Sequence, residues 1–381
     1  MAHVTRTRLK RHVVDHRYTG TIPAIGVQVL SPRKFMQTNR LMKEAKRLGV
    51  QVDELSTEQA AAALYRRVDP EVFGLVPDRL VTEQPWVRPE LASALAAVRV
   101  GRWEPVAELL AGHGTDWNRR AEDVETVAGA AVQTDTEWIR RWAKACPGHA
   151  DLLAFRAVLL IRQAWTARGA GWARDTSREQ FAGFHGLLVE ARLAAYEACE
   201  AAPADPTPWW SLITMARGFS VGHEEFRALW AELQQRAPLH RYGHDQALQY
   251  WCAKWSGSAE HMFAFAEQAA STHPSLVPLR LIAAYERAAH DESVWSQSST
   301  AEAVAATGAW LDGDGGRGDG LQVLHDRGML AYALFRMRRW NDAIDQFRHL
   351  GAHADAWVWE GERLQFLLAR WETCTRARKP R

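Results

Sequence analysis

Residues 331–347 read Ala331-Tyr332-Ala333-Leu334-Phe335-Arg336-Met337-Arg338-Arg339-Trp340-Asn341-Asp342-Ala343-Ile344-Asp345-Gln346-Phe347. Apolar residues recur at three- and four-residue spacing on both sides of a polar break at Arg338-Arg339. The stretch therefore predicts a helix, a turn and a second helix. Ala331 and Ala343 are the small residues that let two helices of a hairpin approach closely. Leu334 supplies an apolar position, and Trp340 and Phe347 are the aromatics that fill the wedge to the next hairpin. Val98 to Leu110, containing Gly101-Arg102-Trp103-Glu104-Pro105-Val106-Ala107, is a weaker second copy.

Prolines at 147, 203, 238 and 274 each follow a helical run, at intervals of 56, 35 and 36 residues. Ala198 and Ala269 precede Pro203 and Pro274 by five residues. An insertion around Arg168 to Gly186 accounts for the long first interval. Two of the intervals lie close to the 34-residue period of a helix–turn–helix repeat. On these residues the chain resembles tetratricopeptide-like α-solenoids over roughly residues 90–372. The resemblance implies an all-α fold of stacked hairpins and a groove lined by first-helix residues, which in the best copy are His325, Tyr332, Phe335 and Arg336. The segment Trp251 to Ser258, with Lys254-Trp255 followed by Ser256-Gly257-Ser258, is similar to a Lys-Trp-Gly-Gly-Ser segment of a bacterial family with tetratricopeptide-like helices. Ser256 stands where that segment has its first glycine, and the family has no established activity.

Elsewhere the sequence is helical with short Gly, Pro and Asp interruptions, and alternating strand-like runs are absent. Three segments follow: residues 1–49, a basic arm and amphipathic helix; 50–89, a helical segment and proline-containing connector; and 90–381, the repeat domain. In the second, Ser56 to Gln59 has capping-box spacing. A helix through Ala60 to Arg67 is expected to stop near Pro70. Residues 76–90 read as irregular connection, and Asp312 to Gly320 as the longest non-helical insertion.

The 381 residues include 47 Lys+Arg and 45 Asp+Glu, a net charge of +2. That near-neutrality hides a division: residues 1–47 carry eleven basic and two acidic residues. The body after residue 47 is net acidic. Ser31 and Pro32 open the amphipathic helix and Gly49 closes it. Phe35, Leu41, Met42, Ala45 and Leu48 share one face, and Arg33, Arg40, Lys43, Lys46 and Arg47 the other. Such a helix can lie on a membrane surface, on nucleic acid, in a partner's groove, or on the protein's own acidic body. A weak anionic contact is therefore a second expectation of partner, beside a protein or peptide.

The four cysteines are scattered, which excludes a disulfide scaffold. No apolar run approaches the ~20 residues of a membrane span, and a bacterial cytoplasmic protein is the expectation. Zinc-protease, nucleophile-elbow and phosphate-loop motifs are absent, so no catalytic residue, metal or cofactor is assigned. His12/His16 and His240/His244 have metal-pair spacing, but no acidic or cysteine cluster completes either. Of the 18 tryptophans, Trp103, Trp230 and Trp340 belong in wedges between helices. Trp209, Trp210, Tyr250, Trp251, Lys254 and Trp255 form the densest polar–aromatic group, with Trp210, Tyr250, Lys254 and Trp255 its candidate binding residues. A cation over aromatic faces can hold an anion or carboxylate terminus, and the opposing reading is an inter-repeat core with a solvated lysine. The expected function is a protein- or peptide-binding scaffold. The alternative is an all-α enzyme or accessory protein of specialised metabolism.

Overall fold

The computed structural model describes residues 32–55, 59, 63, 68–82, 86–132, 134, 136–169, 177–318, 320–354, 356–359 and 363–378. The N-terminal arm with His12 and His16, the cap Ser31 and most of the expected helix at 60–67 lie outside these residues. The chain is all-α. Sixteen α-helices occur among the described residues: α1 Pro32–Leu48, α2 Pro89–Arg99, α3 Glu104–Ala111, α4 Trp117–Ala131, α5 Glu137–Ala145, α6 Ala150–Arg168, α7 Arg178–Ala201 and α8 Thr207–Ala216. They continue with α9 His223–Arg236, α10 Arg241–Tyr250, α11 Ala259–Thr272, α12 Leu279–Ala288, α13 Ser298–Asp312, α14 Leu321–Arg336, α15 Trp340–Leu350 and α16 Arg363–Arg376. The described residues hold no sheet, and one isolated bridge pairs Thr82 with His353.

Two compact units divide the chain, one formed by residues 87–322 and the other by the described parts of residues 16–86 and 323–381. In the first unit, the prolines punctuate as the spacing predicts. α5, α7, α9 and α11 each end two residues before Pro147, Pro203, Pro238 and Pro274. The turn itself recurs. Cys146, Ala202 and Ala237 have φ of −134°, −141° and −148° with ψ of 74°, 78° and 78°. In each turn the carbonyl of that residue accepts an N–H three residues on, from His149, Asp205 and His240. Alternate helices α4, α6, α8, α10 and α12 then pack on one another in succession, which is how hairpins that cannot each bury an apolar face share one core.

A buried ion network crosses these layers. Arg120 on α4 bonds the Leu110 carbonyl at 3.0 Å, Asp151 in the first turn of α6 at 2.8 Å, and Asp205 just before α8 at 2.9 Å. Asp205 also accepts the Thr207 N–H at 2.8 Å, an Asx-turn at the start of α8.

In the second unit, α1 is as the punctuation predicts, with Ala45 buried and Gly49 at φ 72° closing the helix. Met42, assigned to the apolar face, is 47% exposed, because it lies at the edge of the stripe. Residues 70–82 carry two short 3-10 turns and bury Phe73, Leu75 and Val81. Their carbonyls have few helical partners, so side chains of the C-terminal helices satisfy them. Arg348 bonds the Phe73 carbonyl, Arg370 that of Val76, and Arg363 those of Asp78 and Val81. The Trp371 indole N–H donates to the Asp78 carboxylate at 2.7 Å.

Replacing Arg120 with Met strands Asp151 and Asp205 without their buried counter-ion. Loss of one partner of such a network costs about 3–5 kcal/mol. Urea unfolding of Arg120→Met is expected to show a loss of that order, and Arg120→Lys a smaller one.

Candidate functional site

The polar–aromatic group around Lys254 is assembled by a tight turn. After α10, Trp255 N–H bonds the Cys252 carbonyl and Ser256 N–H the Tyr250 carbonyl. A Cβ on Gly257 would lie 2.0 Å from the Trp251 carbonyl oxygen, so only glycine permits the approach. The turn leaves Trp255 half-buried and places it edge-on to Trp165 of α6, with ring centroids 5.8 Å apart.

Four residues were expected here. Trp210 and Tyr250 are core residues. Trp210 packs on His240 and Tyr242, and the Tyr250 hydroxyl donates to the Val221 carbonyl at 2.7 Å while its ring stacks on Phe226. Lys254 and Trp255 reach the surface. Lys254 is tied to Glu286 of α12 at 2.7 Å, and the other oxygen of Glu286 accepts from Gln249, also at 2.7 Å.

The cation over the aromatic rings is a residue that the sequence reading passed over. Arg217, the C-cap of α8, is 9% exposed. Its guanidinium carbon lies 5.6 Å from the Trp165 ring centre and 5.4 Å from that of Trp255. Gln246, a neutral amide, accepts from one of its nitrogens. Its Nε is buried with no acceptor, and no carboxylate among the described residues pairs with it. Burial pulls Arg217 down to about 10, with the charge of Glu286 opposing, so it remains a cation at neutral pH. Arg168 lies 5.6 Å from the same Trp165 ring. The sequence did carry a signal: Arg217 is the one charge in the stretch from Trp209 to Phe219.

The expected first-helix group is local to α14 and its hairpin. Arg336 donates to the Tyr332 hydroxyl at 3.0 Å, Tyr332 meets Trp359 edge-on, and Phe335 packs on Trp340. These three and His325 are half-buried. On α1, Arg40, Lys43, Lys46 and Arg47 are exposed, and Arg47 pairs with Glu44. Only the backbone of Arg33 falls within the described residues.

No three His, Cys, Asp or Glu side chains among the described residues converge as metal ligands. His240 and His244 are helix-end residues. His240 Nδ1 accepts the Gly243 N–H at 2.9 Å, and His244 Nδ1 meets the His240 carbonyl at 3.0 Å. No described helix is long and apolar enough to cross a membrane. Comparison with protein-family models, curated proteins and solved structures finds no match to this chain.

Burial holds His240 at about 3 and His244 at about 4, against an ordinary 6.5. Below pH 6.5 the unfolded chain takes up protons that the folded chain refuses. Stability is therefore full above that pH and declines as pH falls, by about 1 kcal/mol per unit for each histidine. His240→Asn keeps a capping acceptor but cannot titrate. Its unfolding free energy is expected to fall less steeply than wild type between pH 6 and pH 5, by about that slope.

Proposed function

We propose that this chain is a helical-repeat scaffold, tetratricopeptide-like in its stacked hairpins, that binds a peptide or protein segment through that segment's carboxylates. One observation carries the reading. Arg217 holds a buried positive charge against two tryptophans with a neutral amide as its hydrogen-bond acceptor. A buried charge without a paired carboxylate is unfavourable, and a ligand carboxylate reaching the guanidinium would supply the counter-charge. Lys254, exposed and paired with Glu286, adds a second cation beside the rings. Trp165 and Trp255 offer ring faces and edges to the apolar parts of a peptide. The succession of α4, α6, α8, α10 and α12 supports the repeat reading, because first-helix-on-first-helix packing is what stacked hairpins produce.

The test is selection from a random peptide library on the full chain, followed by affinity measurement on the selected peptides. Enrichment of Asp, Glu or free C-termini is expected. Arg217→Met should weaken binding by about tenfold or more, while its melting temperature stays level or rises, since an apolar side chain replaces an unpaired buried ion. Equal affinity of Arg217→Met and wild type for the selected peptides would refute the assignment.

A further inference from the structure

The second unit has a cavity of about 390 Å³ lined by Arg338, Trp340, Glu372 and Arg376. That volume suits a small organic ligand. The lining combines two helix ends. Arg338 is in the turn between α14 and α15, Trp340 opens α15, and Glu372 and Arg376 lie one turn apart on α16. The neighbouring Arg339 and Arg348 are paired to Asp342 and Asp345. Arg338 and Arg376 have no ion pair among the described residues, and both are exposed. Two unpaired guanidinium groups therefore share one cavity with an indole.

The backbone gives a second, independent reason to single out Arg338. It has φ of 60°, the left-handed conformation that side chains resist. Its N–H bonds the Phe335 carbonyl and the Arg339 N–H bonds the Leu334 carbonyl, the paired bonds that close a helix on a left-handed residue. The same turn occurs after α2. There Gly101 has φ of 72°, its N–H bonds the Val98 carbonyl, and the Arg102 N–H bonds the Ala97 carbonyl. Both turns continue with Arg-Trp, as Arg102-Trp103 and as Arg339-Trp340. In one copy the strained position is glycine, and in the other it is an arginine that faces a cavity. Side chains held in such conformations concentrate at ligand sites.

We propose that this cavity is a carboxylate site, in which Arg338 and Arg376 clamp the anion and Trp340 packs against a planar body attached to it. Two guanidinium groups on one cavity present paired N–H donors that match the two oxygens of a carboxylate. The site is separate from the Arg217 cluster, and either assignment can fail without the other.

Benzoate is the probe, with benzamide as its neutral counterpart, measured by saturation-transfer NMR and equilibrium dialysis on the full chain. Benzoate is expected to bind about tenfold more tightly than benzamide or inorganic phosphate. Measured in the Arg217→Met background, where the other proposed carboxylate site is removed, Arg376→Gln and Arg338→Gly should each weaken it about tenfold. Arg338→Gly should also raise the melting temperature by about 2 °C, since glycine relieves the backbone. The combination of lost binding with retained or higher stability separates a ligand role from a structural one. Competition by a free-acid tripeptide ending in Phe, but not by its amide, would assign the carboxylate to a peptide terminus. Failure of both to compete would assign it to a small free acid, and either result keeps the carboxylate site. Absence of benzoate binding to wild type, binding that survives both substitutions, or preference for phosphate overturns the proposal.

Discussion

Arg120 holds together the layers on which the rest of the first unit depends. A two-helix hairpin leaves an apolar face that it cannot bury alone, so each hairpin needs the next. The contact that registers them is polar. One guanidinium reaches the starts of α6 and α8 from α4, taking Asp151 and Asp205 as its acids. Apolar stacking is tolerant of sliding, whereas a three-cornered ion network fits one register. Asp205 also accepts the first N–H of α8 from Thr207, so the inter-layer bond and the start of the helix are one arrangement of atoms. Around it the tryptophans fill volume: Trp138 and Trp142 are fully buried, and Trp103 stacks on Trp142 at 5.7 Å.

Set against Arg120, the arginines at the two candidate sites are of a different kind. Arg120 is buried and has two carboxylates. Arg217 is buried and has an amide. Arg338 is exposed but stands in a conformation suited to glycine. Both depart from what stability alone would select, and stability is small enough in any domain that such departures are felt. A sequence that agrees with its fold elsewhere and disagrees at a few positions is expected to disagree where something other than folding is selected.

The punctuation of the fold was legible and its long-range pairings were not. Pro147, Pro203, Pro238 and Pro274 mark helix ends because proline acts on its own backbone and that of the preceding residue. Gly49 works the same way. Tryptophans packed between helices were legible at Trp103, which stacks on Trp142, and at Trp230, which meets His244 and Phe265 edge-on, whereas Trp340 meets Phe335 within its own hairpin and lines a cavity. The packing of residues 70–82 was not. The part from residue 76 on reads as irregular connection, because prolines and irregular polarity give no period. It is ordered by Arg363, Arg370 and Trp371, nearly three hundred residues away, and no local pattern encodes such a partner. At the site, the sequence pointed to Lys254 and Trp255 through their density. It left Lys254 open between a cation over the rings and a solvated lysine, because charge pairing across helices, which no local pattern encodes, decides which cation is satisfied. Lys254 found Glu286, and Arg217 did not.

Arg217, Arg338 and Arg376 also share a position, and it explains how unpaired cations can be held there. Arg217 is the C-cap of α8, Arg338 follows the end of α14 by two residues, and Arg376 is the last residue of α16. A helix C-terminus carries roughly half a negative charge spread over its free carbonyls, worth about 0.3–1 kcal/mol to a nearby cation at the surface. A carboxylate partner would satisfy a guanidinium and remove it from use. A helix end steadies the same group only in part, and leaves its hydrogen-bond donors and most of its charge for a ligand. Placing cations on helix ends without a direct ion pair to an acid thus keeps them both tolerable and available. A helical array is well suited to this, since every hairpin brings a fresh helix terminus to its surface.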